Sequence, residues 1–215
     1  MNYERDRLVQ ALSGTFLGDE LKALSDVYDQ VEEETNAFCH TWHVSCTFGC
    51  GSCCEHFIPD ITPVEARLVA AYLLLSCKDI SLLDKVQNKP SDSDGCPLWR
   101  KDDPYHCSVY PVRPLICRLF GQCPSRMKDG SAELRPCKFH QQTFNQILSF
   151  APSDGVKTMD DYGMQLRSLD SGEGNDVEDL DKAVGEALSS VSLIIRLAGI
   201  AMQGDDDSTP SPMAS

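Results

Sequence analysis

Apolar residues recur at helical spacing near both ends of the chain. From residue 8 to residue 31 they follow this spacing, with a break at Gly18 and Asp19. The pattern predicts two N-terminal helices separated by that break. The same spacing returns after Gly174, over residues 177–202, and predicts one long C-terminal helix.

A central helix is marked by its first residues, Thr62-Pro63-Val64-Glu65. Proline suits the first helical position, and a glutamate three residues after a threonine can accept a hydrogen bond from the amide of that cap residue. A helix is therefore predicted over residues 63–77, and weaker patterns predict helices over 80–86 and 138–150. Only residues 105–110 have the composition of a strand.

All eleven cysteines lie between residues 39 and 137. Four of them fall within the nine residues Cys46-Thr-Phe-Gly-Cys-Gly-Ser-Cys-Cys54, where a Cys-x2-Cys step can place two sulfurs on one metal ion. Gly49 and Gly51 give that loop the permissive backbone of a tight metal-binding turn. The two adjacent thiols at the end of the stretch are expected to point apart.

A second group of cysteines follows, and the two groups together supply enough sulfur for two four-ligand sites. Cys39 and Cys77 lie alone within helical patterns and are predicted to be buried apolar side chains. Cys123 and Cys137 compete for the last ligand position. The predicted metal ligands are Cys46, Cys50, Cys53, Cys54, Cys96, Cys107, Cys117 and Cys123.

Histidines and arginines beside the cysteines have roles that the sequence leaves open. His56 or His106 is the first choice if an imidazole replaces one sulfur. Arg113 and Arg118 are close in sequence to Cys117, and they either donate hydrogen bonds to sulfur or to a bound anion, or serve to fix a turn. A disulfide framework is disfavoured, because the cysteine count is odd and no secretory signal is present.

Charge is unevenly distributed along the 215 residues. The net charge of −14 at pH 7 would repel phosphates, so we expect no nucleic-acid partner. Residues 96–140 carry eight Lys and Arg against four Asp and Glu, and such positive neighbours lower the pKa of thiols.

The apolar run over 191–202 is interrupted by Arg196 and is too short for a bilayer. With no signal pattern at the start, a cytoplasmic protein without a membrane crossing is expected.

The cysteine motifs, in this order, resemble a known family over about residues 46–123. The similarity is to the YkgJ-type CxxCxxCC cysteine-cluster family, through Gly49-Cys-Gly-Ser-Cys-Cys54, Ile61-Thr-Pro-Val-Glu-Ala66, Cys96-Pro-Leu98 and the run from Cys107 to Arg118. The resemblance implies a domain that chelates zinc or iron. Cys46 departs from the family pattern, because three residues rather than two separate it from Cys50. The segment is also similar to flagellin lysine N-methylases, which implies an iron–sulfur cluster with S-adenosylmethionine chemistry.

The spacing Cys46-x3-Cys50-x2-Cys53 is also that of radical S-adenosylmethionine enzymes, in which three cysteines hold a four-iron cluster. The fold usual behind that motif alternates parallel strands with helices. Residues after Cys54 instead predict a helix, a loop and further cysteines. A conventional radical enzyme is therefore disfavoured. No glycine-rich nucleotide loop follows a predicted strand, which ranks a protein-modifying enzyme that uses S-adenosylmethionine below a metal-binding protein.

The predicted fold class is mostly α, with an irregular cysteine-rich metal-binding centre and little or no β structure. The predicted parts are N-terminal helices over 1–45, a cysteine-rich metal-binding domain over 46–140, C-terminal helices packing on it over 141–203, and a disordered polar tail over 204–215. We expect the cysteine loops to be ordered by metal binding.

The predicted function is a metal-binding protein that coordinates zinc, iron or an iron–sulfur cluster, such as a 4Fe-4S cluster, through clustered thiolates. A metal chaperone or sensor and an interaction scaffold are its non-catalytic forms. The alternative is an iron–sulfur, S-adenosylmethionine-using, protein-modifying enzyme. The expected partners are a metal ion and either a protein partner or a second copy of the chain bound through the C-terminal helix.

Overall fold

The computed structural model describes residues 3–46, 49–77, 79, 81–88, 95–102, 105–137, 146–170 and 177–200. Over these residues the protein is mostly helical with small strands, which confirms the predicted fold class. None of the described helices combines the length and the apolar character needed to cross a membrane. The helices are α1 (Tyr3–Ala11), α2 (Phe16–Trp42), α3 (Pro63–Leu75), α4 (Ser81–Gln87), α5 (Leu115–Leu119), α6 (Met159–Arg167) and α7 (Leu180–Leu197).

Short strands form two small antiparallel sheets in the described part of the chain. The first pairs β1 with β5, and the second has the order β2-β3-β4. The predicted strand over 105–110 is wrong. That segment makes a single bridge between Cys107 and Trp99 and then turns into the 3-10 helix Tyr110–Val112. The strands are β1 (Asp60–Ile61), β2 (Ser125–Arg126), β3 (Ala132–Leu134), β4 (Leu148–Phe150) and β5 (Glu178–Asp179).

The two N-terminal helices are confirmed, but the break between them lies at residues 12–15 and not at Gly18 and Asp19. Thr15 caps α2, because its hydroxyl accepts a hydrogen bond from Gly18 N at 3.0 Å. Gly18 lies inside the first turn of α2. A Cβ there would lie 2.2 Å from the carbonyl oxygen of Leu12, so the glycine permits the close approach of the preceding turn.

Helix α3 lies at the centre of the hydrophobic core. Its residues from Val64 to Leu73 are buried nearly all the way round, Arg67 excepted. It packs most extensively against α7, and α2 packs against it as well. Both helices carry buried small side chains, among them Ala70 of α3 and Ala187 of α7.

The predicted helices differ in how well their positions agree with the structure. Helix α4 confirms the prediction over 80–86, and α7 confirms the C-terminal helix, although it begins at Leu180 because residues 178–179 pair with β1. The predicted helix over 138–150 is wrong at its end, where Leu148–Phe150 is strand β4. Phe150 contacts the rings of Phe38 and Trp42, which favours the extended arrangement. Residues 138–145 and the predicted tail over 204–215 lie outside the described residues.

The buried carboxylate of Glu65 joins three helices. Its Oε1 accepts hydrogen bonds from the Tyr28 hydroxyl at 2.8 Å and from Leu115 N at 2.6 Å, while its Oε2 accepts one from Thr62 N at 2.9 Å. The last contact confirms the hydrogen bond to the cap residue predicted at the start of α3. Burial raises the pKa of Glu65, and the donated hydrogen bonds oppose that shift. The carboxylate therefore ties α2 and the first residue of α5 to α3.

Replacing Tyr28 by Phe is expected to lower the free energy of unfolding by about 1.5–3 kcal/mol, because a buried hydrogen bond to a charged group contributes roughly that much. Urea unfolding followed by circular dichroism measures the change. Tyr3→Phe is the control, since Tyr3 is 72% exposed, and its effect is expected to stay within about 0.5 kcal/mol. Equal stability of the Tyr28→Phe variant and the wild type would contradict this role of the Tyr28 hydroxyl.

Candidate metal centre

The cysteine-rich segments surround one cavity of about 320 Å³. All eleven cysteines belong to the described residues, and all are free thiols. Seven of the eight predicted ligands line this cavity, together with Cys137, which the sequence offered as the alternative to Cys123. The cavity thiols are Cys46, Cys50, Cys53, Cys54, Cys96, Cys107, Cys117 and Cys137.

The first cysteine loop is held by His106. The His106 Nδ1 donates a hydrogen bond to the carbonyl of Gly49 at 2.9 Å, and Gly49 has a φ of 73°, in the left-handed region. Gly51 packs directly on the same histidine, since a Cβ at this position would lie 2.2 Å from the His106 Cβ. The two glycines were predicted for their backbone freedom. The structure adds a close side-chain approach that only glycine permits.

Backbone contacts connect this loop to the later cysteines. Cys96 N donates a hydrogen bond to the carbonyl of Cys54 at 3.0 Å, and the bridge between Trp99 and Cys107 sets the next cysteine beside the same segment. Cys117 lies on α5, whose first amide is bound by the Glu65 carboxylate. Hydrogen bonds and the core thus fix the backbone on which most of these thiols are carried.

Electrostatic coupling divides the thiols into two neighbourhoods. Burial raises the pKa of Cys117 well above its usual value, with further increases from the charges of Cys107, Cys96 and Cys53. Burial also raises the pKa of Cys46.

In the second neighbourhood the main charged neighbours of Cys46 are Cys50 and Cys137, followed by Cys53. Cys53 is therefore common to both groups. Thiolates placed this close repel one another, and a bound cation would relieve that repulsion.

The adjacent thiols of Cys53 and Cys54 do not point apart, contrary to the prediction. Their sulfur atoms are 3.9 Å apart. In a tetrahedral zinc site with Zn–S bonds of about 2.3 Å, two sulfurs are separated by about 3.8 Å, so the observed distance suits two ligands of one ion. The short 3-10 turn Cys54–His56 begins at this point and orients the second thiol.

The donor set fits a thiolate metal site in chemical type and in number. Among the residues that the structure describes, however, no three Cys, His, Asp or Glu side chains have the geometry of a completed metal site. The thiols are gathered around one cavity but have not converged on a point. Side-chain rotation in the loops is therefore needed before four sulfurs contact one ion.

Three cysteines lie outside the lining of this cavity. Cys123 is buried, and its thiol faces the carbonyls of Pro124 at 3.6 Å and Lys157 at 3.9 Å. Cys39 and Cys77 were predicted to be buried, but both are only partly buried, and they pack against apolar clusters. Burial raises the pKa of Cys123 to about 12 and that of Cys39 to about 11, so both are neutral thiols at pH 7.

Neither histidine that was considered for a mixed site lines the cavity. His106 is engaged with the loop at Gly49, as described above. His56 ends the turn that begins at Cys54 and is exposed. The cavity therefore offers sulfur, rather than imidazole, as its donor among the described residues.

Aromatic side chains of the cavity were missed in the sequence, although a spacing signal could have found them. Phe57, Tyr110 and Phe120 line the cavity, and each follows a cavity cysteine by three residues. This spacing is one turn of a tight helix or β-turn, and the Tyr110 amide indeed donates a hydrogen bond to the carbonyl of Cys107 at 3.2 Å. Each of these three rings therefore lines the cavity together with the cysteine three residues before it.

The two arginines of the cavity have different environments. Arg118 is buried, pairs with Glu32 at 3.0 Å, and donates to the backbone carbonyls of Arg113 at 2.8 Å and Pro111 at 3.2 Å. Its guanidinium also lies 4.2 Å from the ring centre of Tyr28. Of the two roles left open by the sequence, Arg118 therefore fixes the turn, whereas Arg113 faces the cavity.

A comparison with known protein families supports the interpretation of the cysteine-rich segment as a metal-binding domain. Residues 45–146, a little under half of the chain, match the model of the CxxCxxCC family, described as a "Putative zinc- or iron-chelating domain". The match confirms the resemblance and spans all eight cavity thiols. Residues 45–146 are therefore similar to the CxxCxxCC domain, whose description is metal chelation. No curated protein and no solved structure matches the chain.

Replacing Gly51 by Ala is expected to lower the free energy of unfolding by about 1–3 kcal/mol, because the added methyl group overlaps with His106 and forces the loop to move. Thermal and urea unfolding measure this change. Gly185→Ala in α7 is the control, since an added Cβ there has no packing neighbour within 4 Å and alanine favours the helix. A Gly51→Ala variant as stable as the wild type would exclude this packing of the loop.

Proposed function

We propose that this protein binds zinc or iron through the thiolates that line the cavity. The observation that carries the proposal is the gathering of eight thiols from separate stretches of the chain around one cavity. Soft thiolate ligands select zinc and iron–sulfur clusters over hard cations such as magnesium and calcium. The family description of residues 45–146 supports the same class of ligand.

The ligands are proposed to form two groups that meet at Cys53 and Cys54. The first group consists of Cys96, Cys107 and Cys117, and the second group consists of Cys46, Cys50 and Cys137. Cys107 and Cys96 raise the pKa of Cys117, and Cys50 and Cys137 raise that of Cys46, which supports this division. The 3.9 Å between the sulfurs of the two adjacent cysteines supports their binding to a common ion. Cys137 takes the place that the sequence gave to Cys123.

An iron–sulfur cluster is the second candidate, and the size of the cavity favours it. A single ion bound by four sulfurs at about 2.3 Å occupies only a small part of about 320 Å³. Anaerobic purification followed by metal and sulfide analysis and a visible spectrum distinguishes the two. Brown protein with acid-labile sulfide indicates a cluster, whereas colourless protein with stoichiometric zinc indicates an ion site.

Changing Cys50 and Cys53 to Ser is expected to remove at least half of the bound metal, because each group then loses a thiolate ligand. The metal content of the purified full-length protein, measured by plasma mass spectrometry, gives the result. Cys39→Ser and Cys77→Ser are the controls, and both are expected to retain the wild-type metal content, since neither thiol lines the cavity. Equal metal content in the double Cys50→Ser/Cys53→Ser variant and in the two control variants would contradict the proposal.

Cys123 and Cys137 provide a second, sharper comparison. Cys137→Ser is expected to lower the metal content, while Cys123→Ser is expected to leave it unchanged, because only Cys137 lines the cavity. Circular dichroism of both variants controls for loss of the fold. The reverse result would restore the ligand set predicted from the sequence and exclude the one proposed from the structure.

A further inference from the structure

We propose that the same cavity binds a small organic carboxylate with a flat apolar body beside the thiols, and that Arg113 is its anion contact. The inference depends on the proposed function only because the thiolates and their metal occupy the remaining part of the cavity. A volume of about 320 Å³ lies within the range of small-molecule sites. It leaves space after the sulfur ligands have converged on an ion.

The surroundings of the Arg113 side chain suit a cation that is able to bind an anionic ligand. Its guanidinium lies 4.3 Å from the ring centre of Tyr110, and the Tyr110 ring stacks on that of Tyr105 at 4.7 Å. Within the described residues, Arg113 has no ion pair with a carboxylate. Arg118, the other arginine of the cavity, is paired with Glu32. A guanidinium fixed on an aromatic face presents its planar donors for bidentate contact with a carboxylate.

Neutralisation of the negative charge of nearby thiolates does not by itself explain why Arg113 lines the cavity. Its charge lowers the pKa of Cys46, but burial and the neighbouring thiols outweigh this influence, and the net shift is upward. The carbonyl of Arg113 accepts a hydrogen bond from Arg118 Nε, so its backbone is held in place. The side chain is thereby directed to the cavity from a fixed position.

The apolar part of the proposed ligand is suited to the aromatic lining. Phe57 and Phe120 stack with their ring centres 6.3 Å apart, and both remain about 40% exposed. They offer flat apolar surfaces within the same cavity as the Arg113 cation. A carboxylate with an aromatic body satisfies the cation and covers these rings at once.

The test uses benzoate, benzamide and acetate as probes of the metal-loaded, full-length protein, with binding followed by NMR of the ligand. Benzoate is expected to bind at least about tenfold more tightly than the other two, because benzamide lacks the charge and acetate lacks the ring. Acetate binding as tightly as benzoate would overturn the apolar component of the proposal. Benzamide binding as tightly as benzoate would overturn the role of the cation.

Arg113→Lys is expected to weaken benzoate binding about tenfold or more, since lysine retains the charge but loses the bidentate fork and the stacking. Arg196→Lys, on the exposed end of α7, is the matched control and is expected to bind benzoate as the wild type does. Tyr110→Leu keeps Arg113 but removes its aromatic support, and a several-fold loss is expected. Unchanged affinity in the Arg113→Lys and Tyr110→Leu variants would overturn the proposal.

Metal analysis of each sample separates this inference from the proposed function. If the protein binds no metal but binds benzoate in an Arg113-dependent manner, the anion site is supported and the metal site fails. If metal is bound and benzoate is not, the metal site is supported and the anion site fails. Circular dichroism shows whether each variant is folded, and the comparison of the three probes on the wild type decides the question without any variant.

Discussion

The fold depends on one buried carboxylate, that of Glu65, which connects the helical core with the cysteine-bearing part of the chain. Desolvation of a carboxylate is costly, and donated hydrogen bonds from Tyr28, Thr62 and Leu115 offset that cost. Because Leu115 begins the short helix that carries Cys117, the position of this thiol is set by a contact made in the core. The structure of the site therefore follows from the packing of α2 and α3.

The helices were predictable because their signals are local. The capping residues before α3 and the apolar spacing of α7 lie within a few turns of the chain, so the sequence alone placed both. Features that depend on distant partners were missed. Strand β4 exists because it pairs with β3 and because Phe150 meets the aromatic rings of α2, and neither contact leaves a periodic signal in residues 148–150.

For the candidate site, too, the features with a local signal in the sequence were predictable and those that depend on tertiary packing were not. Thiol spacing identified the loop around Cys50 and the later cysteines, because short-range spacing reflects ligand geometry. It could not rank Cys137 against Cys123, since that choice depends on which thiol the tertiary packing turns toward the cavity. The close approach of the Cys53 and Cys54 sulfurs also depends on a local 3-10 turn that the amino-acid composition does not indicate.

The spread of the cavity thiols along the chain has a consequence for biosynthesis. Cys46 and Cys137 line the same cavity, so a ribosome must add some ninety further residues, on the order of five to twenty seconds of elongation, before the last thiol is available. The proposed group of Cys46, Cys50 and Cys137 would therefore be completed only when translation of this domain is nearly finished, after the thiols of the other proposed group have emerged.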